Sequence, residues 1–74
     1  MKIKRIRDLR EDSDLTQKSI AEFLNINQRT YSGYETGVRS IPIEALIKLA
    51  KYHNASVDYL LGLTDVKEPY PRSK

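Results

Sequence analysis

The segment Asn25-Ile26-Asn27 allows little besides a sharp turn between two short helices. Asparagine tolerates the left-handed backbone conformation that stops a helix, so Asn25 suits the position just past a helix end. Asn27 is a strong N-cap for the next helix, and Ile26 between them returns one apolar group to a core. Upstream, Thr16 caps a helix whose buried stripe is Ile20, Ala21 and Leu24. Downstream, a helix runs from about Gln28 to Thr36, with Tyr31 and Tyr34 three apart on its buried side and Gly37 as its stop. Residues 16–36 therefore predict two helices joined by a tight turn.

The rest of the chain continues in short helices. Ile3, Ile6 and Leu9 recur on one helical face, which predicts an amphipathic helix over residues 2–12 that Asp12, Ser13 and Asp14 end. After a loop at 38–41, Pro42 suits the first turn of a fourth helix, because its missing N–H would lack a partner there anyway. Ile43, Leu46, Ile47, Leu49 and Ala50 carry that helix to about His53. Asn54 repeats the left-handed stop, and Ser56 caps a fifth short helix holding Val57, Leu60 and Leu61 until Gly62. No segment alternates strictly enough for a strand, so the expectation is an all-α bundle of five helices over residues 1–63. Pro69, Pro71 and mostly polar neighbours predict an extended or disordered tail at 64–74.

A chain of 74 residues holds one modest core and not two. With no cysteine, helix packing and capping must supply the stability, helped by any dimer interface. No apolar run approaches the ~20 residues of a membrane span, and residues 2–10 lack a signal-peptide core, so a cytoplasmic protein is expected. The net charge of +3 is small but uneven: Lys2, Lys4, Arg5, Arg7 and Arg10 oppose only Asp8 near the start. That cluster reads either as a phosphate-facing surface or as a solvated helix face, and charge alone favours the latter. His53 has no partner at catalytic spacing, and Asp8, Glu11, Asp12 and Asp14 are not spaced as a calcium loop. No enzyme, metal or cofactor is expected.

Helix-turn-helix recognition of DNA needs a small residue where two helices cross, a sharp turn, buried apolar positions and exposed hydrogen-bonding side chains on the second helix. Ala21 supplies the first, Asn25 the second, and Ile20, Leu24, Tyr31 and Tyr34 the third. Gln28, Arg29, Thr30 and Ser32 are left outward, and Gln and Arg make two-pronged bonds to adenine and guanine edges. Lys18 and Arg39 read equally well as phosphate ligands or as plain surface charges. An exposed amide at a helix start, as at Gln17, can reach a phosphate.

The stretch Leu15-Thr16-Gln17, Ala21, and Asn27-Gln28-Arg29-Thr30-Tyr31-Ser32-Gly33-Tyr34-Glu35-Thr36-Gly37 resembles the Cro and phage-repressor-type helix-turn-helix family. The likeness continues through Pro42, Leu49-Ala50-Lys51 and Ser56-Val57-Asp58-Tyr59-Leu60-Leu61-Gly62. It implies a five-helix, lambda-repressor-like domain whose third helix reads the major groove, often as a homodimer on a near-palindromic operator. By the same resemblance Gln17 grips a phosphate, Gln28, Arg29 and Ser32 face bases or nearby phosphates, and Thr36 with the loop after it faces the backbone. Asn27, Thr30 and Gly33 complete the DNA-facing set. Gly33 departs from the family by lacking a longer side chain, so readout there is either lost or replaced by close backbone approach. Asn25 replaces the usual turn glycine, a mild change. The resemblance also places an ion pair at Arg10 and Glu35, residues that lie on inward edges of their helices. The expected function is a sequence-specific regulator of transcription, a repressor. The alternative is an antitoxin-type module that neutralises a protein partner and binds its own promoter.

Overall fold

A computed structural model describes residues 3–69 and contains five α-helices and no strand among them. The helices are α1 (Lys4–Asp12), α2 (Gln17–Leu24), α3 (Gln28–Thr36), α4 (Ile43–Tyr52) and α5 (Val57–Leu60). They form where the caps predict. The Thr16 hydroxyl accepts from the Ser19 N–H, Asn27 Oδ1 from the Thr30 N–H, and the Ser56 hydroxyl from the Tyr59 N–H. Asn25, Gly37, Asn54 and Gly62 all take positive φ, and Asp14 does so in the turn after α1. At Asn25 the stop is completed by the Ile26 N–H, which bonds the Ala21 carbonyl at 3.0 Å.

One core joins the elements. Ile6, Ile20, Tyr31 and Leu49 have no solvent exposure, and Ile3, Leu9, Leu24, Tyr34, Leu46 and Leu60 are buried with them. Ala21 is buried at the α2–α3 crossing, where a larger side chain would hold the two helices apart. Tyr31 and Tyr34 meet edge to face with ring centroids 6.5 Å apart, so both are core rather than a stacking platform for bases.

The structure refines four details of the sequence reading. Pro42 is the N-cap of α4, with ψ at 150°, rather than part of its first turn; extended backbone there directs the chain into the helix. Ile43 and Ile47 are exposed, because only the Leu46, Leu49 and Ala50 stripe of α4 faces the core. Of the basic start, Arg5 and Arg10 bond inward, Lys4 and Arg7 stay exposed, and Lys2 lies outside the described residues. Arg5 Nη1 donates to the carbonyls of Tyr59 (2.9 Å) and Thr64 (2.6 Å), Nη2 meets Asp65 at 3.0 Å, and the guanidinium lies 4.1 Å from the Tyr59 ring centre. The Ser56 N–H bonds the Lys67 carbonyl at 2.8 Å. Residues 64–67 of the segment read as a tail are thus fastened to both α1 and the start of α5, whereas 70–74 lie outside the described residues.

His53 closes α4 as a buried residue, its ring edge-on to Tyr52 and its Nε2 without a hydrogen-bond partner among the described residues. Burial, and then the nearby Lys67 charge, hold its pKa below the usual histidine value. The unfolded chain therefore takes up the proton first, near pH 6.5, and stability declines as pH falls from there toward the lowered folded-state value. Urea midpoints should decline between about pH 7.5 and 5, and His53→Phe, which keeps a ring but cannot titrate, should flatten that decline. An unchanged pH slope in the Phe variant would contradict this assignment.

Candidate nucleic-acid interface

The α2–α3 unit is fixed from beneath by one carboxylate. Arg10 Nε donates to Glu35 Oε2 at 2.7 Å and Nη2 to Glu35 Oε1 at 3.1 Å, a two-pronged pair between α1 and the last turn of α3. Arg10 Nη1 also donates to the Leu15 carbonyl at 2.9 Å, holding the turn that leads into α2. Glu35 Oε1 accepts a further bond from Gln17 Nε2 at 3.0 Å, so the first residue of α2 joins the same cluster. Glu35 is only 3% exposed. Its burial alone would raise its pKa, but the Arg10 guanidinium, then the nearby Tyr31 hydroxyl and the Gln17 amide, outweigh that and hold the carboxyl below its usual range. The hydrogen bond to Glu35 raises the Arg10 pKa above its already high value. The Tyr31 hydroxyl lies beside the pair, buried and without a hydrogen-bond partner among the described residues; burial first, and then the Glu35 carboxylate, push its pKa up.

Above this cluster the expected site residues separate into groups. Gln28 and Arg29 are exposed in the first turn of α3, and Thr30 and Ser32 are half-exposed beside them. The Asn27 side chain is occupied in part by its cap to Thr30, at 2.7 Å. Lys18 is exposed at the start of α2. Gln17 is half-buried and already bonded inward, which leaves its second amide proton for an outside partner. Thr16 caps the Ser19 N–H and accepts the Ile20 N–H, so the first-turn donors of α2 without a partner among the described residues are those of Gln17 and Lys18. A polar cleft of about 290 Å³ opens here between Arg7, Arg10, Gln17, Glu35 and Thr36. Arg7 faces it while paired with Glu11 at 3.1 Å, a placement that the charge pattern alone did not single out from its neighbours.

Gly33 does not offer an open backbone. It is buried, and the side chain of Arg39 lies across it. Of the two alternatives at Gly33, lost readout or close backbone approach, the second is closed off, because the Arg39 stem occupies that space. Thr36 is exposed, its hydroxyl donating to the Gly33 carbonyl at 3.3 Å.

Two short helices, a left-handed Asn turn and an exposed, polar N-terminal end on the second helix define a helix-turn-helix domain. The chain belongs to the helix-turn-helix family, which matches residues 6–60. It is 41% identical over 69 residues to the uncharacterized HTH-type transcriptional regulator YobD of Bacillus subtilis (strain 168), covering 93% of this chain and 62% of that protein. It is 40% identical over 65 residues to the HTH-type transcriptional regulator ImmR of the same organism, covering 88% and 51%. It is 37% identical over 58 residues to the cryptic phage CTXphi transcriptional repressor RstR of Vibrio cholerae, covering 78% and 52%. The chain thus spans about half to three fifths of the length of these relatives. No solved structure matches it. The resemblance to the phage-repressor type, read from residues 15–62, agrees with both the matched family and the phage repressor among these relatives.

Removing one partner of a buried ion pair strands the other charge, at a cost of about 3–5 kcal/mol. Glu35→Gln should therefore lower the unfolding free energy by roughly that amount at neutral pH. In the parent chain the stabilisation from Glu35 is present above the unfolded carboxylate pKa and is lost as pH falls below it, because the folded-state value is depressed. Denaturant titration checks both, and a Gln variant with the parent's midpoint at neutral pH would remove the pair from the account.

Proposed function

We propose that this chain is a sequence-specific duplex DNA-binding domain that reads the major groove with α3 and represses transcription by occupying its site. The observation that carries this reading is the exposed pair Gln28 and Arg29 in the first turn of α3, on a helix that Arg10 and Glu35 lock in place. Both side chains are long enough to reach base edges. Gln takes adenine and Arg takes guanine by paired hydrogen bonds, each worth about 1–3 kcal/mol of discrimination. At the start of α2, the N–H groups of Gln17 and Lys18, the remaining Gln17 amide proton and the Lys18 ammonium form a donor set suited to one phosphate, a contact blind to sequence. Thr36 at the far end of α3 suits a second backbone contact. Relatives named as transcriptional regulators and a phage repressor favour this reading over the antitoxin alternative.

One copy of α3 spans few base pairs, so two copies on a near-palindromic operator, with their α3 helices roughly 34 Å apart, would supply the needed specificity. The apolar side chains of α5 are used internally and leave little for such a dimer face: Leu60 is buried, and Val57, Tyr59 and Leu61 pack against the core. Leu63 and Val66, 73% and 60% exposed just beyond α5, are the apolar residues of that region left for a partner copy.

Selection from a random duplex pool should return one motif with two related halves. On that operator and its single-base variants, Gln28→Ala and Arg29→Ala should each relax preference at particular base pairs by about 1–3 kcal/mol. Gln17→Ala should weaken every variant by one common factor without changing the salt slope. Lys18→Ala should shrink that slope by about 1. A Gln28→Ala loss that is equal across all single-base variants would contradict base reading by that residue.

A further inference from the structure

Gly33 and Arg39 form a composite side chain on α3. A Cβ built on Gly33 would stand 2.9 Å from both Cγ and Cδ of Arg39 and 3.3 Å from its Cβ. The stem of Arg39 therefore fills the place from which a side chain at position 33 would rise. The backbone holds it there. The Arg39 N–H donates to the Gly33 carbonyl at 3.1 Å, and that carbonyl also accepts the Gly37 N–H at 3.0 Å and the Thr36 hydroxyl. Gly37 supplies the left-handed reversal, φ 86°, that brings the loop back over the helix. Arg39 is nonetheless an exposed residue, and its guanidinium makes no hydrogen bond or ion pair among the described residues. Position 33 shares a helix face with Arg29, one turn earlier in α3.

We infer that Arg39, presented across Gly33, is a base-reading residue of the interface and recognises a guanine through its guanidinium. This rests on the reading of α3 as the recognition helix. Glycine at 33 costs α3 about 1 kcal/mol relative to alanine, and any larger residue there would evict the arginine stem. A side chain delivered from the loop is longer than most that the helix itself could place at that point. Its stem is packed in advance, which lowers the conformational cost of fixing the head group on a base. A guanidinium so held suits the paired acceptors O6 and N7 of guanine.

The test is a set of variants, Arg39→Ala, Arg39→Lys, Gly33→Ala and the double Gly33→Ala/Arg39→Ala, measured on the selected operator and all its single-base variants at two salt concentrations. Arg39→Ala should lose about 5- to 150-fold discrimination at a G·C pair in each half-site while keeping preferences elsewhere. Arg39→Lys should retain the salt slope but lose that discrimination, since an ammonium lacks the planar fork. Gly33→Ala should lose the same discrimination at the same pair, with a urea midpoint equal to or above the parent's, and should have no further effect when Arg39 is already Ala. If Arg39→Ala weakens all variants equally and cuts the salt slope by about 1, Arg39 holds a phosphate and the inference is overturned. It is also overturned if the Gly33 and Arg39 losses simply multiply. A parent chain that selects no duplex at all refutes the DNA-binding reading itself. A parent that selects a motif that Arg39→Ala reads unchanged refutes only the role of Arg39.

Discussion

The ion pair between Arg10 and Glu35 is the constraint on which the interface depends. All three guanidinium nitrogens of Arg10 are engaged, two on the Glu35 carboxylate and one on the Leu15 carbonyl. Glu35 in turn holds Gln17. One buried charge pair therefore joins α1, the turn into α2, the first residue of α2 and the end of α3. A carboxylate in the last turn of a helix opposes the helix dipole, and burial raises its cost further. It is stable there because the opposing charge and its hydrogen bonds are already in place. Replacing the pair by apolar groups could preserve stability, but it would remove the directional bonds that set the angle and register between helices.

The consequence for function is preorganisation. The turn at Asn25 and the small crossing residue Ala21 determine how α3 leaves α2, and the Arg10–Glu35 cluster determines where its far end stops. Between these two fixings, the first turn of α3 projects Gln28 and Arg29 with little freedom left in the backbone. The Gln17 amide is aimed by Glu35 before any ligand arrives, so less ordering is left to accompany binding. The loop after α3 is held in the same way, through the Gly33 carbonyl.

Much of this was legible in the sequence because it is written in short-range chemistry. Thr16, Asn27 and Ser56 each cap through a bond to a residue three positions on, and Asn25, Gly37 and Asn54 mark left-handed stops. Tyr31 and Tyr34 declared themselves as core by spacing. Apart from the Arg10–Glu35 pair, which the family resemblance supplied, what escaped were contacts between residues distant in the chain. The Arg5 bonds to Tyr59, Thr64 and Asp65 span more than fifty positions, and no local pattern separates that arginine from Lys4 or Arg7. The inward bond of Gln17 was hidden for the same reason. Gly33 was visible as a departure from the family pattern, but the stem that covers it comes from a loop whose path the sequence does not specify. Ile43 and Ile47 were overcounted as core because a helical apolar stripe can be wider than the face that packs.

Preorganisation by the Glu35 cluster makes the side-chain amide of Gln17 its most direct reporter. Nuclear magnetic resonance of the DNA-free protein, with the Gln17 Nε2 protons assigned, measures its order without any ligand. The account predicts that the two Gln17 proton resonances lie further apart than those of the exposed Gln28 amide in the same molecule, with at least one exchanging with solvent much more slowly than the Gln28 protons. Gln17 protons with the shifts and exchange rates of the solvent-exposed Gln28 amide would show that the carboxylate does not hold it, and would contradict the claim that the interface is set before DNA binds.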